Sequence, residues 1–269
     1  MRKDDFGAPV AALQRQLKAF GHALDITSIY DDATEAAVIK FQRANGLVAD
    51  GLAGPKTIAT LVDGSDARRL DERDLQRAAE HLGVPLAAIK AVNEVESRGA
   101  GFLEDFRPVI LFERHVMYAR LKAAGHDADA LAEKYPNLVN KKRGGYVGKA
   151  GEYGRLRLAM EIDRACAQEA CSWGQFQIMG YHWQALDFAS ASEWQAAMQR
   201  SEANHLTALC RFIQQDPAMH KALQGRKWAD FARRYNGPAF KDNDYDTKLA
   251  KAYDHFAKVY PVKEVADVA

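Results

Sequence analysis

The sequence predicts a mainly α-helical protein in two parts: a small three-helix module, then a larger α-rich domain with at most a small β element. Three observations carry that expectation. Apolar residues recur at helical spacing across residues 8–61. A break at Gly64, Ser65 and Asp66, followed by a charged run to Arg73, reads as a connector. Helix-period stripes then resume from about residue 72, divided by Gly- and Pro-bearing segments at 99–108 and 140–154. The expected division is therefore 1–64, a connector over 65–73, and 74–269.

The module is read element by element. Val10, Leu13, Leu17 and Phe20 form one stripe, which Gly21 stops. Asp31-Asp32-Ala-Thr34 opens a second helix with Ala37, Val38 and Phe41 inward, ended by Gly46. Asp50-Gly51 makes a turn, and Pro55 starts a third helix with Ile58 and Leu61 inward. In the larger part, Leu75, Ala78, Ala79 and Leu82 make a stripe closed by Gly83, and Val84-Pro85 leads into a helix over 86–97. Further helices are expected over 156–170, 193–214 and 245–259. No internal repeat and no low-complexity tract is apparent.

Composition bounds the function. With 269 residues, 48% hydrophobic and 27% charged, the chain has ordinary globular content, which excludes disordered and collagen-like classes. A net charge of +1 gives no global field for nucleic acid. Apolar runs such as Val109–Phe112 are far too short to span a membrane. The N-terminal MRKDDFGAPVAALQRQ has no apolar core, so no signal peptide is expected. Cys166, Cys171 and Cys210 do not suggest a disulfide framework; synthesis in a reducing cytoplasm and a monomeric state are expected. No histidine set has zinc spacing, and Cys166 and Cys171 are not a CxxC, so neither metal nor cofactor is expected.

Four segments can carry chemistry. On the helix 86–97, Ile89, Val92 and Glu96 share a face, so Glu96 ends an apolar stripe beside the break at Arg98-Gly99. There it is either a carboxyl with a raised pKa or the partner of Arg98 or Arg107. Glu94 follows Lys90 by four and reads as half of a solvated ion pair. Glu113, in Arg107-Pro-Val-Ile-Leu-Phe-Glu113-Arg114-His115, could position water or pair with Arg114. Ser172-Trp173-Gly-Gln175-Phe-Gln177-Ile-Met-Gly180 offers a ring to stack on a sugar and amides for its hydroxyls, or else a core Trp with surface amides. Arg234-Tyr235-Asn236-Gly237-Pro238 reads as a turn with a hydroxyl and an amide. Residues 141–157, with six Lys/Arg and five Gly, suggest a mobile basic loop suited to an anionic partner, or simply a solvated surface loop.

The module resembles the peptidoglycan-binding type 1 domain. The residues that carry this are Val10-x-x-Leu-Gln14, Asp31-x-x-Thr34-x-x-Ala-Val38-x-x-Phe41-Gln42 and Gly-Leu47-x-x-Asp50-Gly51-x-x-Gly54-x-x-Thr57, with Tyr30 where a Gly is usual. The resemblance implies cell-wall anchoring, with Gln14, Asp31, Thr34, Phe41, Gln42, Asp50, Gly51 and Thr57 as its motif residues.

The larger part is similar to the lysozyme-like superfamily, and within it to the N-acetylmuramidase domain of phage endolysins. Val-Glu96-Ser97, Arg-Pro-x-Ile-Leu-Phe-Glu113-Arg-His and Ser-Trp-Gly-x-Phe-Gln177-Ile-Met-Gly occur together over most of 72–260, followed by Tyr235-Asn-Gly. The resemblance implies hydrolysis of the β-1,4 bond between N-acetylmuramic acid and N-acetylglucosamine, with host lysis as the outcome. Glu96 would be the acid, Ser97 its support, and Gln177 and Tyr235 sugar contacts, with Trp173, Gln175 and Asn236 as further candidates. Glu113 is the weaker second carboxylate, and a separation of roughly 6.5–9.5 Å would give inversion. A lytic transglycosylase leaving 1,6-anhydro ends, or a non-catalytic wall-binding protein, are the alternatives. The wall would be reached after a separate membrane lesion, without stable membrane insertion and without nucleic acid as a partner. The binder-first order looks like endolysins of phages infecting Gram-negative hosts.

Overall fold

The computed structural model describes residues 1–63, 68–97 and 99–260. In chain order its helices are α1 (Ala8–Ala19), α2 (Asp32–Ala44), α3 (Pro55–Asp63), α4 (Glu72–Leu82), α5 (Leu86–Glu96), α6 (Arg114–Ala123) and α7 (Ala128–Lys134). They continue as α8 (Gly151–Met160), α9 (Arg164–Glu169), α10 (Ala191–Arg200), α11 (Glu202–Gln215), α12 (Pro217–Gln224), α13 (Trp228–Asn236) and α14 (Tyr245–Val259). The only strands among the described residues are β1 (Ile110–Phe112), β2 (Cys171–Trp173) and β3 (Ile178–Met179). The fold is thus α-rich with one small sheet. It divides into two compact units, Met1–Gly99 with Asp216–Ala269, and Ala100–Gln215.

In the first unit, α1, α2 and α3 enclose a core of Val10, Leu13, Leu17, Val38, Phe41 and Leu61. Asp31 caps α2 by accepting the Thr34 N–H at 2.8 Å and the Thr34 hydroxyl at 2.7 Å. Phe20, expected inside, is 55% exposed and touches Phe41 only edge-on, at 5.2 Å. Tyr30 fills the centre of the module with its hydroxyl donating to the Gly51 carbonyl at 2.7 Å, so it is a core residue and more than a turn variant.

Contrary to the sequence expectation, the module contains a repeat. Buried Gln14 donates to the Ile29 carbonyl and the Thr34 hydroxyl while its own carbonyl accepts the Ser28 N–H. Buried Gln42 does the same with the Leu52 carbonyl, the Thr57 hydroxyl and the Gly51 N–H. Val-x-x-Leu-Gln14 and Val-x-x-Phe-Gln42 are therefore two copies of one device, a helix whose amide satisfies the polar backbone of the following loop. Only the order of five residues marks it, which is too little for periodicity alone to expose.

The connector falls partly outside the described residues, at 64–67. Beyond it, Asp71 and Asp74 form a reciprocal capping box at the start of α4, and Gly83 ends that helix in the left-handed region at φ 63°. Helix α5 carries alanine on several faces and is buried nearly all round, from Ala87 to Asn93. Small Ala87 and Ala91 pack against Ala252 and Phe256 of α14. This corrects the solvated Lys90–Glu94 pair: Lys90 is 1% exposed, and its ammonium bonds the Glu72 carboxylate at 2.7 Å and the Ala49 carbonyl at 3.2 Å. Glu72 also accepts the Ala49 N–H at 2.8 Å. Both backbone polar groups of Ala49 are thus held by side chains of α4 and α5.

In the second unit the sheet is antiparallel in order β1-β2-β3, with Ile110 opposite Trp173 and Ser172 opposite Met179. Two long helices expected from periodicity are each broken. Residues 156–170 divide between α8 and α9, where Asp163 caps the second by accepting the Cys166 N–H. Residues 193–214 divide at extended Ser201, whose hydroxyl accepts the Asn204 N–H. Polar caps override a continuous stripe because they satisfy the N–H groups a new helix leaves open. The helix expected at 245–259 is α14.

Candidate active site

Glu96 is the last residue of α5, and Ser97 ends the helix in extended conformation, its N–H on the Asn93 carbonyl at 3.1 Å. The Glu96 side chain is buried, with the residue 8% exposed. Burial pushes its pKa up to about 7, and a hydrogen bond from the Asn236 amide to Oε1 at 3.0 Å offsets part of that rise. The ion-pair alternative with Arg107 fails, because that guanidinium sits on Asp105 and over the Tyr153 ring. Arg98 lies outside the described residues.

Asn236 and Tyr235 close α13, so they are helix-end residues, and the expected turn begins only at Gly237, φ 82°. Tyr235 is half-buried and stacked on Phe231, ring centroids 5.8 Å apart and planes 10° off parallel. The helix presents the Asn236 amide to the acid while Phe231 anchors its other side in the core. Among the described residues, Asn236 is the hydrogen-bonding neighbour that the structure gives Glu96.

The Ser172–Gly180 segment belongs to the second unit and behaves differently from expectation. Trp173 is 1% exposed and donates its indole N–H to the Gln168 carbonyl at 3.0 Å, so it has no face for a sugar ring. Gln175 is 2% exposed, and its backbone N–H donates to His205 Nδ1. Both are core residues, which corrects their sugar-binding assignment. Gly174, at φ 70°, lies so close to the His205 ring that a Cβ would come within 2.8 Å. Gln177, half-buried at φ 52°, donates to the Val109 and Gly174 carbonyls and accepts the Ser172 hydroxyl. Its amide clasps β2, the turn at Gly174 and the residue before β1.

Glu113, also in the second unit, accepts the Tyr146 hydroxyl at 2.8 Å and faces His115 Nδ1 at 3.1 Å. It does not pair with Arg114, which donates instead to the carbonyls of Lys142 and Arg143 at 2.9 Å. The basic segment 141–157 is therefore tied down and not a free loop. Buried Glu152 adds to this by accepting the Val147 and Gly148 N–H groups, the Phe112 N–H and Arg155. Burial raises its pKa, but these donors outweigh it and hold the carboxyl below its usual range. Tyr146 escaped the sequence reading because its only signal was a place among glycines.

In the first unit the eight motif residues act mainly on the module itself. Gln14, Thr34, Gln42 and Thr57 bond its loops, Asp31 caps α2, Asp50 accepts from Gln42 and from the Leu52 N–H, and Phe41 is core. Gly51 sits at φ 74° with its carbonyl on Tyr30. The Gln14, Thr34, Phe41, Gln42 and Thr57 side chains are buried in the module, whereas Asp31 and Asp50 are half-buried.

No group of three or more His, Cys, Asp or Glu able to hold a metal ion occurs among the described residues. No helix among them is long and apolar enough to cross a membrane. The family described as N-acetylmuramidase matches residues 85–257, and that of a peptidoglycan binding domain matches residues 6–61. The crystal structure of the Burkholderia AP3 phage endolysin is similar at 57% sequence identity and TM-score 0.92, over 96% of this chain and 99% of that one. No curated protein matches the sequence.

Proposed function

The chain belongs to the N-acetylmuramidase family, and from that premise we propose that it is a phage-type endolysin that hydrolyses bacterial peptidoglycan. The bond cut is the β-1,4 link between N-acetylmuramic acid and N-acetylglucosamine, with Glu96 as general acid. The N-terminal module, residues 1–64, holds the enzyme on the wall. Residues 74–269 carry the chemistry.

The observation that carries this reading is the buried Glu96 carboxyl with its pKa near 7. At neutral pH a large fraction of it holds a proton, which is the state an acid needs to protonate a leaving glycosidic oxygen. The Asn236 amide donates to Oε1, so the acidic proton belongs on Oε2 and that oxygen is the one offered to substrate. As the bond to muramic acid C1 lengthens, the sugar gains oxocarbenium character and the leaving hydroxyl takes the Glu96 proton. The resulting carboxylate keeps the Asn236 hydrogen bond, now charge-assisted and stronger. Water then adds at C1, its surplus proton returning to solvent.

The test is mass spectrometry of purified peptidoglycan digested by wild type and by Glu96→Gln. Reducing N-acetylmuramic ends that vanish in the variant are the expected result. Anhydro-muramic ends would reassign the chemistry to transglycosylation through the same acid. No soluble fragment from wild type, with wall binding intact, would sink the enzymatic reading.

A further inference from the structure

A cavity of about 760 Å³ opens in the first unit between the start of the chain and helices α5 and α14. That volume falls in the ~300–1,000 Å³ range of small-ligand sites. Its charged lining differs in exposure, Glu94 and Glu35 being half-buried and Arg2, Lys3, Asp5, Lys248 and Lys251 exposed. Glu94 is half-buried, and no donor among the described residues hydrogen-bonds its carboxylate. Glu35 also lines the cavity, with Oε1 3.7 Å from Nε2 of His255. Around the mouth stand exposed Arg2, Lys248 and Lys251, and Lys251 makes no ion pair among the described residues. Two half-buried acids with a mostly basic exposed rim, in which Asp5 is the acid and Lys3 is paired with Asp32, make an arrangement that an anion or a cation alone would use only in part.

We propose that this cavity receives a zwitterionic amino-acid head group, an ammonium and a carboxylate on one carbon, as carried by the diamino acid of an uncross-linked wall peptide. The ammonium enters toward Glu94 and the carboxylate stays at the mouth with Lys251 and Arg2. The proposal rests on the wall-hydrolase reading and adds to it: the enzyme holds peptide stems at a place built by the module together with the two helices α5 and α14. Neutral glycan has no ammonium for Glu94, and a polyphosphate chain would be repelled by Glu94 and Glu35. Glu94 is two residues from Glu96 on the same helix, so a peptide seated here is linked through α5 to the acid.

The test is calorimetric titration of the full wild-type chain with the tripeptide L-alanyl-γ-D-glutamyl-meso-diaminopimelate. The same peptide acetylated on its free diamino-acid amine is titrated in parallel. Saturable binding is expected, weakened about tenfold by acetylation and about tenfold by Glu94→Gln. Lys251→Glu, at an exposed position, should weaken it about threefold, while Lys122→Glu in the second unit leaves it unchanged. Absence of saturable binding, equal binding of the acetylated peptide, or parental affinity in both cavity variants would overturn the proposal. The peptide contains no glycosidic bond, so that failure would leave the product analysis of Glu96 untouched. Loss of the hydrolase reading would likewise show in the products and not in this titration.

Discussion

The Asn236 amide donates to Glu96 Oε1 at 3.0 Å, joining the ends of two helices 140 residues apart in sequence. Such a bond favours the ionised carboxylate over the neutral acid, and so works against the burial that raises the Glu96 pKa. Asn236→Ala should therefore move the alkaline limb of the activity profile to higher pH. Turnover at the optimum should fall roughly 10-fold to 100-fold, the value of one hydrogen bond to a charged group. A limb that moves to lower pH, measured by initial rates across pH 5–9, would show that the bond does something else.

Glu96→Gln should cut peptidoglycan hydrolysis by about 10²–10⁴-fold, the usual contribution of general acid catalysis. The stability effect has the opposite sign at alkaline pH. Folding raises the carboxyl from 4.5 to about 7, so its contribution to stability is complete below pH 4.5 and is lost as pH rises through about 7. The loss amounts to about 3 kcal/mol. Gln cannot ionise, so the variant should gain on wild type between pH 5 and pH 8 in urea titrations. A difference constant with pH would contradict the raised pKa.

Glu113 should matter less than Glu96. Its carboxylate is already engaged by Tyr146 and His115. Tyr146→Phe removes one donor and frees the carboxylate, whereas Glu113→Gln removes the charge. If Glu113 manages water, Glu113→Gln lowers the maximal rate while leaving KM near its original value, and Tyr146→Phe has a smaller effect of the same kind. Equal loss of folding stability in both variants, with unchanged kinetics of the remaining folded protein, would make the cluster structural.

Lys90 and Glu72 should show coupling. Lys90→Met alone leaves Glu72 without its buried partner and should cost about 3 kcal/mol. Adding Glu72→Met should recover part of that loss, because two apolar side chains pack without stranded charge. Chemical denaturation of the two single variants and the double variant measures the coupling; strict additivity would argue against it.

Gln42→Ala should cost about 3 kcal/mol by leaving the Gly51 N–H and the Leu52 carbonyl without this partner, and Gln14→Ala should act in the same direction through Ser28 and Ile29. Limited proteolysis within residues 6–61 would report the opening. Unaltered protection in both variants would show that the two amides are dispensable.

Much of the fold was legible because helix stripes and caps are local. Asp31, Gly83 and the spacing of Val10, Leu13 and Leu17 announce their roles within a few residues of themselves. Glu96 was legible for the same reason, as the polar end of an apolar face. What was hidden depended on distant partners. Nothing near Lys90 reveals Glu72 or Ala49, although alanines on several faces of α5 were a signal that no charge there could remain in water. Trp173 could be a sugar platform or a core residue by sequence alone, and the strands on both sides of it decided for the core. Asn236 reads as part of a turn until α13 is seen to run to its end.

The first unit is discontinuous, joining residues 1–99 to 216–269 around the intervening segment. A ribosome makes α5 long before it makes α13 and α14, so the emerging polypeptide cannot finish burying Glu96 until its closing helices arrive. Synthesis therefore times the assembly of the acid: a chain halted within the second unit has the carboxyl but neither its amide partner nor the wall that keeps it protonated. Interrupted translation should yield fragments that lack wall-cutting power, whatever module they retain.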